Sequence, residues 1–171
     1  MCPGTFSSTS GFSSVPRRVG FDGALASIAG NIRKPERIST IYDPVPITVA
    51  LAEDRHDLRL LMRVVLEGAG LRVVGETGDG TSAPALVADR RPDVAVVDLA
   101  LPGTEGPELV GVLRSRHPEL GIVVYSGSVE PDIDERVLAL GADRFVSKAE
   151  SVEALAGVVR EVAALRHTGR A

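Results

Sequence analysis

The most informative stretch of this chain is VAVVDLALP at residues 94–102, in which an acidic residue follows an unbroken apolar run. Proline stands near both ends of the run, at Pro92 and Pro102. Four consecutive apolar residues between such boundaries are typical of a strand that is buried on both faces. Strands of this kind belong to parallel sheets, because crossover helices cover both faces of such a sheet. The stretch therefore predicts a central parallel strand with Asp98 at its carboxyl end.

Apolar runs and helical patterns alternate on both sides of this stretch. The sequence predicts strands over residues 47–52, 71–74, 94–97, 122–125 and 144–146. It predicts helices over residues 58–66, 81–90, 108–116, 133–140 and 151–165, the last of them capped by Ser151. Each parallel connection needs a crossover, so this alternation predicts an α/β fold, a doubly wound sheet of five parallel strands with five helices on its two faces.

The composition fits an ordinary globular domain and disfavours several classes of protein. The chain has 171 residues, of which 44% are hydrophobic and 25% are charged, and its formal net charge is −4. This acidic balance disfavours bulk binding to nucleic acid, so no direct contact with nucleic acid is expected. Cys2 is the single cysteine, which excludes an intramolecular disulfide and a cysteine-rich zinc site. No apolar run approaches the roughly 20 residues that cross a membrane, and we expect a cytoplasmic protein.

The chain changes character near residue 44. Residues 1–44 begin with a serine-rich stretch and carry five basic and three acidic residues, whereas residues 45–171 carry 14 basic and 20 acidic residues. Stretches such as the first one rarely bury enough apolar surface to offset the entropy lost on ordering. We therefore predict a mostly irregular, flexible extension over residues 1–44, a folded domain over residues 45–167 and a tail over residues 168–171.

Polar side chains interrupt the apolar pattern where the predicted strands end. Glu53 and Asp54 follow the first strand and Asp98 follows the third. Ser126 follows the fourth strand and Lys148 the fifth. The carboxyl ends of parallel strands lie at one edge of the sheet, where open α/β sheets bind their ligands. We therefore expect these five side chains to meet in one pocket, although they are far apart in the sequence.

The chemistry of this set is that of phosphoryl transfer. Three carboxylates in one place repel one another unless a cation joins them, and carboxylate oxygens are the ligands that Mg²⁺ prefers. A carboxylate can attack phosphorus and form an aspartyl phosphate. Mg²⁺ and Lys148 would neutralise charge on the phosphoryl oxygens, and the hydroxyl of Ser126 would donate a hydrogen bond to a third oxygen. The sequence therefore predicts an Mg²⁺-dependent site that accepts a phosphoryl group.

Several short motifs within residues 46–166 carry a family resemblance. They are AED at residues 52–54, VDLALPG at residues 97–103, Gly106, YSG at residues 125–127 and GADRFVSK at residues 141–148. In these motifs and their spacing the chain resembles the receiver domain of bacterial two-component response regulators. The resemblance implies a CheY-like, flavodoxin-like fold with strand order 2-1-3-4-5.

The resemblance also implies which residues would bind the metal and the phosphoryl group. Asp98 matches the phosphoacceptor of the family and also belongs to the metal site. Glu53 and Asp54 match the family's acidic pair, of which Asp54 matches the direct metal ligand. The backbone carbonyl of Ala100 matches a further Mg²⁺ ligand. Glu53 stands where Asp is more frequent, a change that the family tolerates because this acid usually reaches the metal through water.

Three further positions match the machinery that responds to phosphorylation. Ser126 matches the switch hydroxyl, Phe145 the switch aromatic, where Tyr is commoner, and Lys148 the invariant lysine of the family. In the family, the hydroxyl moves toward the phosphoryl group, the aromatic ring turns inward, and the face made by the fourth helix, fifth strand and fifth helix changes shape. That face would comprise residues 131–165 here. Phe145 can also be read as a core aromatic, and Lys148 as a surface partner of Glu150.

We therefore expect a single-domain response regulator without a C-terminal output domain, which receives its phosphoryl group from a sensor histidine kinase or a histidine phosphotransfer protein. Such a protein is a signalling switch that promotes only its own phosphorylation and dephosphorylation. Its output would be a contact with a downstream protein of unknown identity or a phosphorylation-dependent homodimer.

Two alternatives to this expectation stay open. The first is an interaction module that resembles a receiver but works without phosphorylation, and the second is a fragment of a longer response regulator. A phosphatase of the haloacid dehalogenase type is disfavoured. That family needs a second Asp two residues after its nucleophile, and this chain has Ala100 there.

Overall fold

The computed structural model describes residues 45–168, in which five strands alternate with five helices. The strands are β1 (Thr48–Ala52), β2 (Arg72–Thr77), β3 (Val94–Val97), β4 (Gly121–Ser126) and β5 (Arg144–Ser147). The helices are α1 (His56–Gly68), α2 (Ala83–Arg90), α3 (Gly106–Arg116), α4 (Ile133–Ala139) and α5 (Val152–Thr168). The predicted extension over residues 1–44 and the end of the predicted tail lie outside the described residues.

The five strands form one parallel sheet with the order β2-β1-β3-β4-β5. The predicted doubly wound, flavodoxin-like fold is therefore confirmed. The chain runs from β1 outward to β2 and then returns to β3 on the other side of β1. In such a sheet the crevice beyond the carboxyl ends of β1 and β3 is the expected place for a ligand.

The core has one layer on each face of the sheet, and β3 shows how the sequence divides between them. Val94 and Val96 pack into the layer that α1 and α5 cover. Ala95 and Val97 pack into the layer covered by α2, α3 and α4. Because successive side chains of a strand point to opposite faces, an unbroken apolar run is needed at such a position. No helix within residues 45–168 is long and apolar enough to span a membrane.

Several elements run further than the sequence pattern predicts, and β2 and α5 each extend three residues beyond their predicted C-terminal ends. The pattern ends the second strand at residue 74, but β2 continues to Thr77 because Gly75, Glu76 and Thr77 pair with β1 beyond an irregularity in the register. Glycine and glutamate are poor strand formers, and cross-strand pairing overrides that preference here. The last helix runs on to Thr168, past the predicted end near residue 165. At its start, the Ser151 side chain accepts the backbone N–H of Ala154 at 3.3 Å, as expected of a cap.

Candidate functional site

The polar residues that follow the strands all lie at the carboxyl edge of the sheet. Each of β1, β3 and β5 is followed by a residue whose backbone N–H still bonds to the neighbouring strand. These bonds run from Glu53 to the carbonyl of Thr77 at 3.0 Å, from Asp98 to that of Ala52 at 2.8 Å and from Lys148 to that of Ser126 at 2.9 Å. The sheet ladder therefore sets the positions of these three side chains directly.

Lys148 joins two buried carboxylates at the centre of the site. Its Nζ donates a hydrogen bond to Asp98 Oδ2 at 2.7 Å and lies 2.7 Å from Glu53 Oε2. Glu53 is 1% exposed and Asp98 is 3% exposed. Buried charges are stable only when they are paired, so the lysine compensates for the burial of both acids. Lys148 thus has partners inside the site, and the alternative of a surface pair with Glu150 is not what the structure shows.

The surroundings of Glu53 and Lys148 shift the pKa values of both groups. Burial is the largest influence on Glu53 and raises the pKa of its carboxyl above the ordinary value; the charge of Asp98 adds to the effect, although Lys148 opposes it. Burial alone would lower the pKa of Lys148, but its contacts with Asp98 and Glu53 outweigh burial and raise that pKa. The ammonium therefore stays protonated at neutral pH and places a fixed positive charge beside Asp98.

The acidic residues can hold a metal ion. One carboxylate oxygen from each of Glu53, Asp54 and Asp98 lies within 4.8 Å of the other two. Asp98 Oδ1 is buried and has no hydrogen-bond partner among residues 45–168. Asp54 is exposed beside these two buried acids. An unpartnered carboxylate oxygen in a set of oxygen donors fits a hard cation such as Mg²⁺, which takes oxygen ligands and keeps several waters.

A close approach of α3 shapes the loop that follows Asp98. Gly106, the first residue of α3, packs so tightly that a Cβ built there would lie 2.4 Å from Leu99 Cα and 2.5 Å from its carbonyl oxygen. Only glycine allows the helix to come so near. The contact supports the backbone between Asp98 and the exposed Ala100, whose carbonyl is the candidate metal ligand.

A cleft of about 780 Å³ opens above this edge of the sheet. Its lining includes Asp54, Asp98, Ala100, Ser126 and Lys148. Ser126 is 2% exposed, and its Oγ accepts a hydrogen bond from the backbone N–H of Ser128 at 3.3 Å. The serine can therefore still donate its own hydroxyl proton to a group in the cleft.

Phe145 does not line the cleft. It lies on β5 opposite Val124 of β4, is half-buried, and packs against the core layer that contains Val137 of α4. The strand carries it close to the site, since Ser147, two residues further on, is the register partner of Ser126. Its position is compatible with both interpretations made from the sequence, a switch aromatic and a core aromatic.

Sequence reasoning did not identify Arg59 as part of the site. This α1 residue donates hydrogen bonds to the backbone carbonyls of Glu53 and Asp54. An arginine on an amphipathic helix is usually a solvated surface residue, and no motif marked this one. Only the packing of α1 against the ends of β1 and β2 brings its guanidinium to the acidic loop.

Comparison with protein families agrees with the fold. The response regulator receiver domain matches residues 49–160. The chain therefore belongs to the response regulator receiver family. Receiver domains are phosphoacceptor switches of two-component systems and interact with histidine kinases or phosphotransfer proteins.

Relatives in two bacteria illustrate the similarity. The chain is 33% identical over 129 residues to the probable transcriptional regulatory protein TcrX of Mycobacterium tuberculosis, with 74% of this chain and 53% of TcrX covered. It is also 33% identical over 124 residues to the phosphate regulon transcriptional regulatory protein PhoB of Pseudomonas aeruginosa, with 71% and 53% covered. The chain spans about half the length of these curated relatives. Since their names describe transcriptional regulators, the expected lack of nucleic acid binding stays a prediction.

A solved structure supports the same assignment. The signal receiver domain of the putative response regulator NarL from Mycobacterium tuberculosis superposes with a TM-score of 0.66 at 28% identity. The match covers 70% of this chain and 98% of that domain. Almost the whole of that receiver domain therefore has a counterpart in this chain.

Proposed function

We propose that Asp98 accepts a phosphoryl group from the phosphohistidine of a sensor histidine kinase or a histidine phosphotransfer protein. The observation that supports this most is the state of the Asp98 carboxylate. One of its oxygens is held by Lys148, and the other has no hydrogen-bond partner among the described residues. The carboxylate also lines an open cleft. A nucleophile needs this combination of a fixed orientation and an available lone pair.

The reaction is a transfer of phosphorus from nitrogen to oxygen. An oxygen of Asp98 attacks the phosphorus atom, the P–N bond of the donor breaks, and the imidazole leaves with the electron pair of that bond. The Lys148 ammonium, already 2.7 Å from the carboxylate, neutralises negative charge on the phosphoryl oxygens as the new bond forms. The protein groups that take part all lie within residues 53–148, so the reaction is the same in a single-domain regulator and in a receiver joined to other domains.

Mg²⁺ is the cofactor that this donor set fits. Asp54, Asp98 and the carbonyl of Ala100 would bind it directly, and Glu53, which is buried and paired with Lys148, would act through water. When bound, the ion offsets the negative charge of the phosphoryl group and of the acids around it. The chain's own task is to hold these oxygens together before the donor arrives.

Phosphorylation would be transmitted through Ser126 and Phe145 to the face formed by α4, β5 and α5. The Ser126 hydroxyl would move to donate to a phosphoryl oxygen, and Phe145 would turn inward from its half-buried position. Three leucines of this region are exposed to solvent. They are Leu138 on α4 (44% exposed), Leu140 just after α4 (42%) and Leu165 on α5 (53%). Exposed leucines favour contact with a protein, either a downstream partner or a second copy of this chain.

Intact mass spectrometry tests the proposed reaction. The wild type, Asp98→Asn and the matched surface variant Asp89→Asn are incubated with acetyl phosphate, with Mg²⁺ or with a chelator. We expect a single phosphoryl adduct in the wild type and in Asp89→Asn, dependent on Mg²⁺, and none in Asp98→Asn. If a folded wild-type protein forms no adduct even with a second small phosphodonor, the proposal fails and the phosphorylation-independent interaction module takes its place.

A further inference from the structure

The loop that carries the two acids is held by a guanidinium from α1. Arg59 Nη1 donates a hydrogen bond to the carbonyl of Glu53, and the same atom lies 3.4 Å from the carbonyl oxygen of Asp54. The side chain is 18% exposed, so most of it is packed against the domain. Hydrogen bonds from a charged donor are stronger than neutral ones, and this one acts on the backbone of two candidate metal-binding residues in succession.

The rest of the guanidinium contacts residues at the end of β2. Arg59 Nε lies 3.5 Å from Glu76 Oε2. Gly78 leaves room for the group, since a Cβ at that position would come within 3.2 Å of Arg59 Nη1. The carboxylate of Glu76 offsets the positive charge of Arg59, which reduces its repulsion of a cation bound nearby. The guanidinium therefore spans the ends of β1 and β2 at the point where the chain turns into α1.

We infer that Arg59 is a positioning residue for the metal site. By holding the carbonyls of Glu53 and Asp54, it fixes the backbone from which both carboxylates project toward Asp98. Partners that orient metal ligands without touching the metal contribute strongly to affinity, because they remove the cost of ordering the ligands on binding. The inference rests on the proposed function only in taking Mg²⁺ as the ion; the contacts themselves do not depend on it.

Arg63 provides a matched control for this role. It lies one turn further along α1 and also pairs with Glu76, with Nη1 2.8 Å from Oε1, as well as with Glu67. Within residues 45–168 its polar contacts are with Glu76 and Glu67 and do not include Glu53, Asp54 or Asp98. If the arginines of α1 serve only to attach the helix to β2, loss of either should have the same consequence. If Arg59 positions the acidic loop, the two variants should differ in metal affinity.

The experiment measures Mg²⁺ binding directly by titration calorimetry on the unphosphorylated full chain, for the wild type, Arg59→Met, Arg59→Lys and Arg63→Met. We expect Arg59→Met to weaken Mg²⁺ binding about tenfold, as loss of a ligand-orienting partner does, and Arg63→Met to stay within about twofold of the wild type. Arg59→Lys keeps the charge but cannot reproduce the planar fork of donors, so its Mg²⁺ affinity should lie between those of Arg59→Met and Arg63→Met. It also provides a folded variant if Arg59→Met does not fold.

A second readout separates positioning from a general loss of structure. The rate of phosphorylation by acetyl phosphate is followed as Mg²⁺ is increased. We expect Arg59→Met to require about tenfold more Mg²⁺ for half-maximal rate, with the rate at saturating Mg²⁺ recovering to within about twofold of the wild type.

The outcomes that would overturn the inference are distinct from failure of the proposed function. Wild-type affinity in folded Arg59 variants, an equal loss in Arg63→Met, or absence of Mg²⁺ binding by the wild type would each overturn it. Normal Mg²⁺ binding without any phosphoryl adduct would overturn the phosphoryl transfer alone.

Discussion

Lys148 and Asp98 lie 50 positions apart in the chain, yet the lysine Nζ donates to the aspartate Oδ2 at 2.7 Å. The contact joins the residue after β5 to the residue after β3 across the end of β4. The same ammonium lies 2.7 Å from Glu53, which follows β1. One side chain therefore connects three strand ends and balances part of the negative charge of the candidate phosphoacceptor site.

Replacing Lys148 by Met should destabilise the folded protein at neutral pH. The change leaves the buried carboxylates of Glu53 and Asp98 without their cation, and we expect the free energy of unfolding to fall by about 1.5–3 kcal/mol, the usual cost of losing hydrogen bonds to charged groups. Urea denaturation in the absence of Mg²⁺ measures this loss of stability. A stability equal to that of the wild type would mean that the lysine does not compensate the two acids.

Replacing Asp54 by Asn should weaken Mg²⁺ binding and leave the fold intact. The carboxylate is exposed, so its loss removes a candidate ligand and we expect the free energy of unfolding without Mg²⁺ to change by less than about 0.5 kcal/mol. Calorimetry should show at least about a tenfold loss of affinity. Asp57→Asn, an exposed acid on the first turn of α1 that pairs with Arg55, is the control and should bind Mg²⁺ like the wild type.

Two glycine substitutions should differ sharply in stability. A Cβ at Gly106 would overlap the backbone of Leu99, so Gly106→Ala should cost about 1–3 kcal/mol, as overpacking does, and should also reduce Mg²⁺-dependent phosphorylation by displacing the loop after Asp98. A Cβ at Gly127 would meet Lys148 side-chain carbons at no less than 3.8 Å, an ordinary contact. Gly127→Ala should therefore unfold at the wild-type urea concentration, and an equal loss in both variants would contradict the packing interpretation.

Replacing Asp143, which lies at the opposite, amino edge of the sheet, should lower the stability of the fold. Its Oδ2 accepts from the backbone N–H of Ile122 at 2.8 Å and from Arg114 at 3.0 Å, and its Oδ1 pairs with Arg166. Asp143→Asn leaves these two arginines without their anion, and we expect a loss of about 2–3 kcal/mol in the free energy of unfolding.

The control for Asp143 is an exposed ion pair of the same kind. Glu161 pairs with Arg144 at the surface, where side chains are 53% and 44% exposed. Glu161→Gln should cost less than about 1 kcal/mol, because water screens exposed pairs. Comparable losses for Glu161→Gln and Asp143→Asn would show that burial does not determine the strength of these contacts.

Replacing Ser126 by Ala should separate phosphorylation from its structural consequence. Asp98 and Lys148 are untouched, so we expect the adduct to form, but the phosphoryl group loses the hydroxyl that would draw the loop toward it. Hydrogen exchange over residues 131–165 should change on phosphorylation in the wild type and not in Ser126→Ala. Ser128 also lines the cleft, and its side chain accepts a hydrogen bond from the backbone N–H of Glu130. Ser128→Ala is the control and should respond like the wild type.

Local sequence patterns predicted most of the strands and helices. The run at residues 94–97 predicted β3 with the bounds that the structure has, because a strand buried on both faces leaves an unbroken apolar signal. The sequence pattern did not predict the end of β2. Residues 75–77 have no strand pattern of their own, and they belong to the strand only because they pair with β1. The acids after β1 and β3 could be located from the predicted strand ends. The sequence therefore identified members of the candidate site, although it did not give the distances between them.

The sequence by itself determined the alternation of strands and helices, the polar residues at each strand end and the family to which they point, because these depend on neighbours along the chain. Tertiary structure alone decided that Lys148 pairs with Asp98 and Glu53, that Phe145 packs against the core layer of α4, and that Arg59 reaches the acidic loop. Those relationships join residues on different elements, and they depend on strand register and on how each helix packs against the sheet, which no local pattern records.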